Sequence, residues 1–201
     1  MPVRQVGELL WVYTAPGTTA PSEPNVPDAL QGERDHRVYL ERTWACHWTR
    51  AMENMLDWPH LPFVHRATIG RSMAKMAGSA RMDVHLEPRP YGFATRAAFD
   101  GVEQPGGLDF RYPNMMNLFI PIPNKTLVLQ VACVPETETR TRMVITTARS
   151  FLKLGLLDGF FHRQNVKIAL EDKRVIESSF PAEIPAAREE RSVRTDAPTL
   201  E

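Results

Sequence analysis

Two rhythms of hydrophobic and polar positions run along this chain. Residues 36–44, HRVYLERTW, alternate with a period of two and predict a strand. Residues 47–58 change to a helical period, with Ala51, Met52, Met55 and Leu56 as the apolar stripe. Pro59 and Pro62 stop a regular helix there, since proline lacks the N–H and crowds the preceding turn. From residue 80 to 149 strand follows strand: ARMDVHLEP, YGFATRAAF, LDFRYP, MMNLFIPI, KTLVLQVACV and RTRMVITTA. Turn formers at Pro88–Pro90, Gly106–Gly107 and Pro123–Asn124 separate these pieces, a spacing that predicts an antiparallel sheet. Before them, ELLWVY at residues 8–13 reads as a short strand, and the Pro/Gly/Thr/Ser-rich stretch Ala15–Pro27 as a long surface loop. After them, Leu156–Ser178 predicts a long helix, with Phe160, Phe161, Ile168, Ala169, Val175 and Ile176 expected to share a buried region. The polar tail from Pro181 onward is expected on the surface.

This order predicts an α+β fold of the helix-grip type (START/Bet v 1-like), a curved antiparallel sheet around a long C-terminal helix. The 201 residues suffice for one domain with its own core. Lys and Arg number 24, as do Asp and Glu, so the formal net charge is zero and no basic stripe points to nucleic acid. Apolar runs such as Leu127–Val134 are too short for a membrane span. MPVRQVGELL lacks the apolar stretch and cleavage site of a secretory signal. Two cysteines, Cys46 and Cys133, make no disulfide framework and fit a reducing, cytoplasmic location.

Candidate chemistry concentrates in Glu53–His65, ENMLDWPHLPFVH, which sets Asp57, His60 and His65 within one short stretch. Neutral imidazole is the commonest protein metal ligand. On an ideal helix, positions i and i+5 lie about 140° apart, so the two prolines are needed to bring His65 back toward His60. Two histidines and one carboxylate form the facial set of non-haem iron(II) oxygenases. The carboxylate has candidates in Glu171 and Asp172 of the last helix. His36, His47, His85 and His162 read as surface or packing residues, with pocket lining the alternative for His162, and Met115, Met116, Phe119 and Phe160 as core.

The segment ENMLDWPHLPFVH resembles the iron-binding motif of Rieske non-haem iron oxygenases, in the catalytic domain of their α-subunits: Glu-Asn, two residues, Asp, two residues, His, four residues, His. Glu53, Asn54, Asp57, His60 and His65 fill every position. WACHWTR (Trp44–Arg50) is similar to the family's entry to that helix, LEDKRVIES to its carboxylate helix, and GELLWVY to the strand leaving the Rieske domain. The interval from His65 to Asp172 is short for the family, closest to the vanillate O-demethylase and pheophorbide oxygenase-like branches.

The resemblance implies that His60, His65 and Asp172 bind one Fe(2+), with Glu171 the rival for the third place. It implies that Asp57 bridges by hydrogen bonding toward an incoming Rieske cluster, and that Asn54 lies near the metal. It further implies O2 and a small aromatic or cyclic substrate, hydroxylated or O- or N-dealkylated, a Rieske domain or reductase as electron donor, and often a homotrimer. The Cys-x-His and Cys-x-x-His pairs that would hold a [2Fe-2S] cluster are absent from residues 1–201: His47 directly follows Cys46, and no histidine is near Cys133. The chain is therefore expected to be a catalytic domain without its N-terminal Rieske domain, the cluster coming from a missing domain or a partner. The alternatives are a separate subunit served in trans and a domain that has lost redox function. The rival reading from a different class is a non-catalytic helix-grip module that binds a small ligand or lipid.

Overall fold

The computed structural model of the chain describes residues 2–14, 23–31, 34–189 and 191–200. A two-stranded hairpin, β1 (Val3–Val6) with β2 (Leu9–Val12), opens it. Residues 15–22 of the loop expected over Ala15–Pro27 lie outside the described residues, and 23–27 carry no regular structure. Then come β3 (His36–Trp44), α1 (Trp48–Leu56), α2 (Leu61–Val64) and α3 (Arg71–Ala74). Seven more strands follow: β4 (Met82–Arg89), β5 (Gly92–Phe99), β6 (Val102–Glu103), β7 (Gly107–Arg111), β8 (Met115–Phe119), β9 (Leu127–Thr137) and β10 (Arg140–Arg149). The long helix α4 (Asp158–Ile176) and the short α5 (Ala197–Leu200) close the chain.

The eight-stranded sheet is antiparallel throughout, in the order β3-β10-β9-β8-β7-β5-β4, with β6 on β5. Alternation along each strand divides its two faces. Leu108, Phe110, Met116, Leu118, Leu129, Val131, Cys133, Met143 and Ile145 build the main core with α1 and α4. The intervening positions point to the other face, where Ala29 and Leu30 cover Val128 and Ala148. A buried polar row crosses this second face in register: Asp109 beside Asn117, Asn117 beside Gln130, Gln130 beside Thr146. With both faces covered, β8 is buried almost along its length.

Three expectations need correction. In α4 the buried residues are Asn165, Ala169, Asp172 and Ile176, one face at helical spacing. Phe160 and Val175 are exposed, because they lie off that face. Pro62 does not end a helix but sits in the first turn of α2, where a missing N–H costs nothing. The tail is not wholly superficial, since Pro198 of α5 is fully buried where α5 meets α1 and β4. Among the described residues no helix is long and apolar enough to cross a membrane.

Candidate metal centre

The site begins where α1 ends. Asp57 is its C-cap, donating its backbone N–H to the Glu53 carbonyl at 3.0 Å. The chain then turns through Trp58, Pro59 and His60 into α2. His60 and His65 thus stand at the two ends of α2, as N-cap and C-cap. The i, i+5 misfit vanishes because the pair flanks one short helix instead of sharing a long one. Gly70 closes the turn by donating its N–H to the His65 carbonyl at 3.0 Å. It packs so closely that a Cβ there would lie 1.8 Å from the Leu61 carbonyl oxygen.

Asp172 reaches this turn from α4. Its Oδ1 lies 2.8 Å from His65 Nε2 and 3.5 Å from His60 Nε2, and accepts from Asn54 Nδ2 at 3.0 Å. One donor atom each from His60, His65 and Asp172 falls within 4.8 Å of the others. The opposite ring nitrogens are held from behind. His60 Nδ1 donates to the Asp57 carbonyl, and His65 Nδ1 to Glu171 Oε2 at 2.8 Å. Thr68 Oγ1 donates to the same Glu171 oxygen at 2.8 Å. Glu171, the sequence rival for the third place, therefore stands behind His65 and not beside Asp172. The signal for Thr68 was absent from sequence, since its partner is remote along the chain. Asp57 meets His60 through its backbone; its carboxylate is 3.8 Å from Nδ1 and a third exposed. Glu53 pairs with Arg50 at 2.7 Å, a support for α1. Of the other histidines, His36 pairs with Asp158 at the far end of α4, and His47 caps α1 through Thr49. His85 is exposed and His162 half-buried, outside the cavity.

Burial governs the charges here. It pushes the Asp57 carboxyl up to about 6, with the negative charges of Asp196 and Glu53 adding to it and the His60 contact opposing. Burial also lowers the His60 pKa, against the charge of Asp172. At His65 burial pulls the same way, but hydrogen bonds and charge from Asp172 and Glu171 outweigh it and leave the ring more basic than usual. The donor set suits a divalent borderline metal: two imidazole nitrogens, each oriented by a hydrogen bond on its other side, and one carboxylate oxygen. A cavity opens on these groups, walled by apolar side chains such as Met55, Leu118, Leu129, Met143 and Ile168.

Residues 44–201 match the family described as the vanillate O-demethylase oxygenase C-terminal domain. None of the functionally curated proteins matches the sequence. Among solved structures, NdmB of Pseudomonas putida CBB5 superposes with a TM-score of 0.75 at 20% identity, over 99% of this chain and 57% of that one. NdmA of the same strain, as its QL mutant with theobromine, gives 0.70 at 22% identity over 89% and 51%. Dicamba monooxygenase bound to dicamba gives 0.66 at 14% identity over 99% and 66%. These likenesses show a helix-grip-like fold, and the chain spans between half and two thirds of those proteins. The matched family, covering most of the chain, makes it a member of the vanillate O-demethylase oxygenase C-terminal domain family, the catalytic domain of Rieske non-haem iron oxygenase α-subunits.

Proposed function

We propose that His60, His65 and Asp172 hold one iron(II), and that the chain is the catalytic domain of a Rieske-type oxygenase acting on an aromatic or cyclic small molecule. The observation that carries this reading is the convergence of two Nε2 atoms and one carboxylate oxygen, all within 4.8 Å, at the wall of an apolar cavity. Bound there, iron(II) supplies the activation of O2 for hydroxylation or for O- or N-demethylation. The chain's own groups prepare for it. The Asp57 carbonyl and Glu171 fix the outward nitrogens of the two imidazoles and so aim Nε2 at the site. Asn54 holds Asp172 by its Oδ1. Apolar walls exclude water from the reacting centre. Asp57, whose carboxylate lies 3.8 Å from His60 Nδ1, is the residue we assign to the bridge toward the Rieske donor.

The 201 residues are read as one catalytic domain, and the [2Fe-2S] donor as supplied from outside them, by another domain or by a neighbouring subunit of a homotrimer. Both cysteines are free and buried, which suits the reducing cytoplasm. Iron content after anaerobic reconstitution tests the centre, comparing the parent chain with His60→Ala, His65→Ala and Asp172→Ala. One iron per chain is expected, lost in all three variants, with Glu171→Gln keeping iron at about tenfold to a hundredfold lower affinity. No iron in the parent, or iron untouched by the substitutions, overturns the oxygenase reading in favour of a ligand-binding module.

A further inference from the structure

The cavity beside His60, His65 and Asp172 has an unusual polar inventory. Apart from those three residues and Asp57, the hydrogen-bonding side chains in its wall are Trp44, Trp58 and Asn165. The Trp58 indole N–H is committed, donating to Thr95 Oγ1 at 2.7 Å. Trp44 Nε1 and Asn165 Nδ2 are not: both are buried and have no partner among the described residues. Trp44 is 1% exposed and Asn165 5%. The Asn165 carbonyl oxygen accepts from Thr147 Oγ1 at 3.0 Å, which leaves its amide as a donor. Indole nitrogen is a donor only.

A buried donor without an acceptor costs free energy, and such groups normally find a partner. Here the free donors come from two separate elements, β3 and α4, in the wall of one otherwise apolar cavity. The wall holds no lysine or arginine, while Asp57 and Asp172 place negative charge beside the metal ligands. A carboxylate moved out of water into such surroundings meets no unpaired cation: a divalent metal would already face Asp172, and the His65 ring already pairs with Asp172 and Glu171.

We infer that the cavity takes an uncharged ring compound bearing carbonyl or ether oxygens, which accept from Trp44 Nε1 and Asn165 Nδ2, and that it discriminates against ring carboxylates. The inference rests on the reading that this cavity holds the substrate, and it names the class. Asn165 lies two helical turns before Asp172 on the same face of α4, so an acceptor held there sets which part of the ring faces the metal ligands.

Three probes of similar size separate the possibilities by calorimetry on the metal-free chain: 4-methoxyacetophenone, 4-methoxybenzoate and 4-isopropyltoluene. The ketone is expected to bind about tenfold more tightly than the benzoate and about threefold more tightly than the hydrocarbon. Trp44→Phe and Asn165→Leu are each expected to weaken the ketone about threefold to tenfold and to leave the hydrocarbon unchanged, which also shows that the variants are folded. Equal or tighter binding of the benzoate overturns the inference. So does a ketone affinity that neither variant changes, or no binding of any probe. Because the assay needs no metal, iron binding without this preference sinks the inference alone. The preference without iron binding sinks the oxygenase reading alone.

Discussion

Gly70 shows how much of the site depends on one missing Cβ. Its backbone lies against the Leu61 carbonyl and its N–H closes on the His65 carbonyl, so it sets the path of the turn that carries the second imidazole. Its φ is negative, so the demand is for space and not for a left-handed conformation. An added methyl 1.8 Å from a backbone oxygen forces the turn to open. Gly70→Ala is expected to cost about 2–4 kcal/mol in urea denaturation and to lower iron stoichiometry, because His65 moves off Asp172. Unchanged stability and iron content would mean that the turn yields without carrying the ring with it. Nothing in the sequence pattern marks this glycine; its closeness to Leu61 comes from the fold.

At the scale of elements, α4 is positioned from both ends. Ala169 and Ile176 seat its middle and C-terminal half in the core. At its start Asp158 accepts from the fully buried Arg149 at 2.7 Å and pairs with His36 at 2.8 Å, tying the helix to β10 and β3. Arg149, mainly through its hydrogen bond, holds the Asp158 carboxyl below the usual carboxylate range, with burial opposing and His36 assisting. A carboxyl depressed in the folded state stabilises the fold above its unfolded pKa of about 3.9, and that contribution is lost as pH falls through the folded value. Asp158 is more than a third exposed, so solvent screening keeps the pair to about 1 kcal/mol or less. Asp158→Asn is therefore expected to destabilise the chain at neutral pH and to differ little from the parent at about pH 2. Parallel stability curves across that range would show that the pair does not hold the helix.

For the whole molecule, the sheet separates two buried layers of different character. One face supports the cavity and the candidate centre. The other carries the polar row Asp109, Asn117, Gln130 and Thr146 beneath the N-terminal residues. Asn117 is fully buried, and among the described residues neither its amide atoms nor the Thr146 hydroxyl has a partner. Removing both unmatched groups of an amide while keeping its volume is neutral to stabilising. Asn117→Leu is expected to raise the unfolding free energy by up to about 1 kcal/mol in urea denaturation, with iron binding intact on the opposite face. A marked loss of stability would mean that bridging water satisfies the amide.

Much of this architecture was legible from local pattern. The period-two alternation of residues 36–44 gives β3 at its observed bounds, and six alternating segments between 80 and 149 match β4, β5 and β7 to β10. The helices α1 and α4 also follow from periodicity, a signal that needs only neighbours along the chain. The first strand of the N-terminal hairpin, the two four-residue helices around the histidines and the buried end of the tail were not legible, because pieces so short take their form from what they touch. The same division holds at the site. His60 and His65 were marked by spacing, since the turn between them is local. Glu171 and Asp172 are adjacent on α4 and point about 100° apart, so neither pattern nor propensity chooses between them. The rotation of α4 chooses: seating Ala169 and Ile176 in the core carries Asp172 to the two Nε2 atoms and leaves Glu171 behind His65. Sequence determined which residues were available to the candidate centre; packing of one helix face decided which carboxylate faces the two imidazoles.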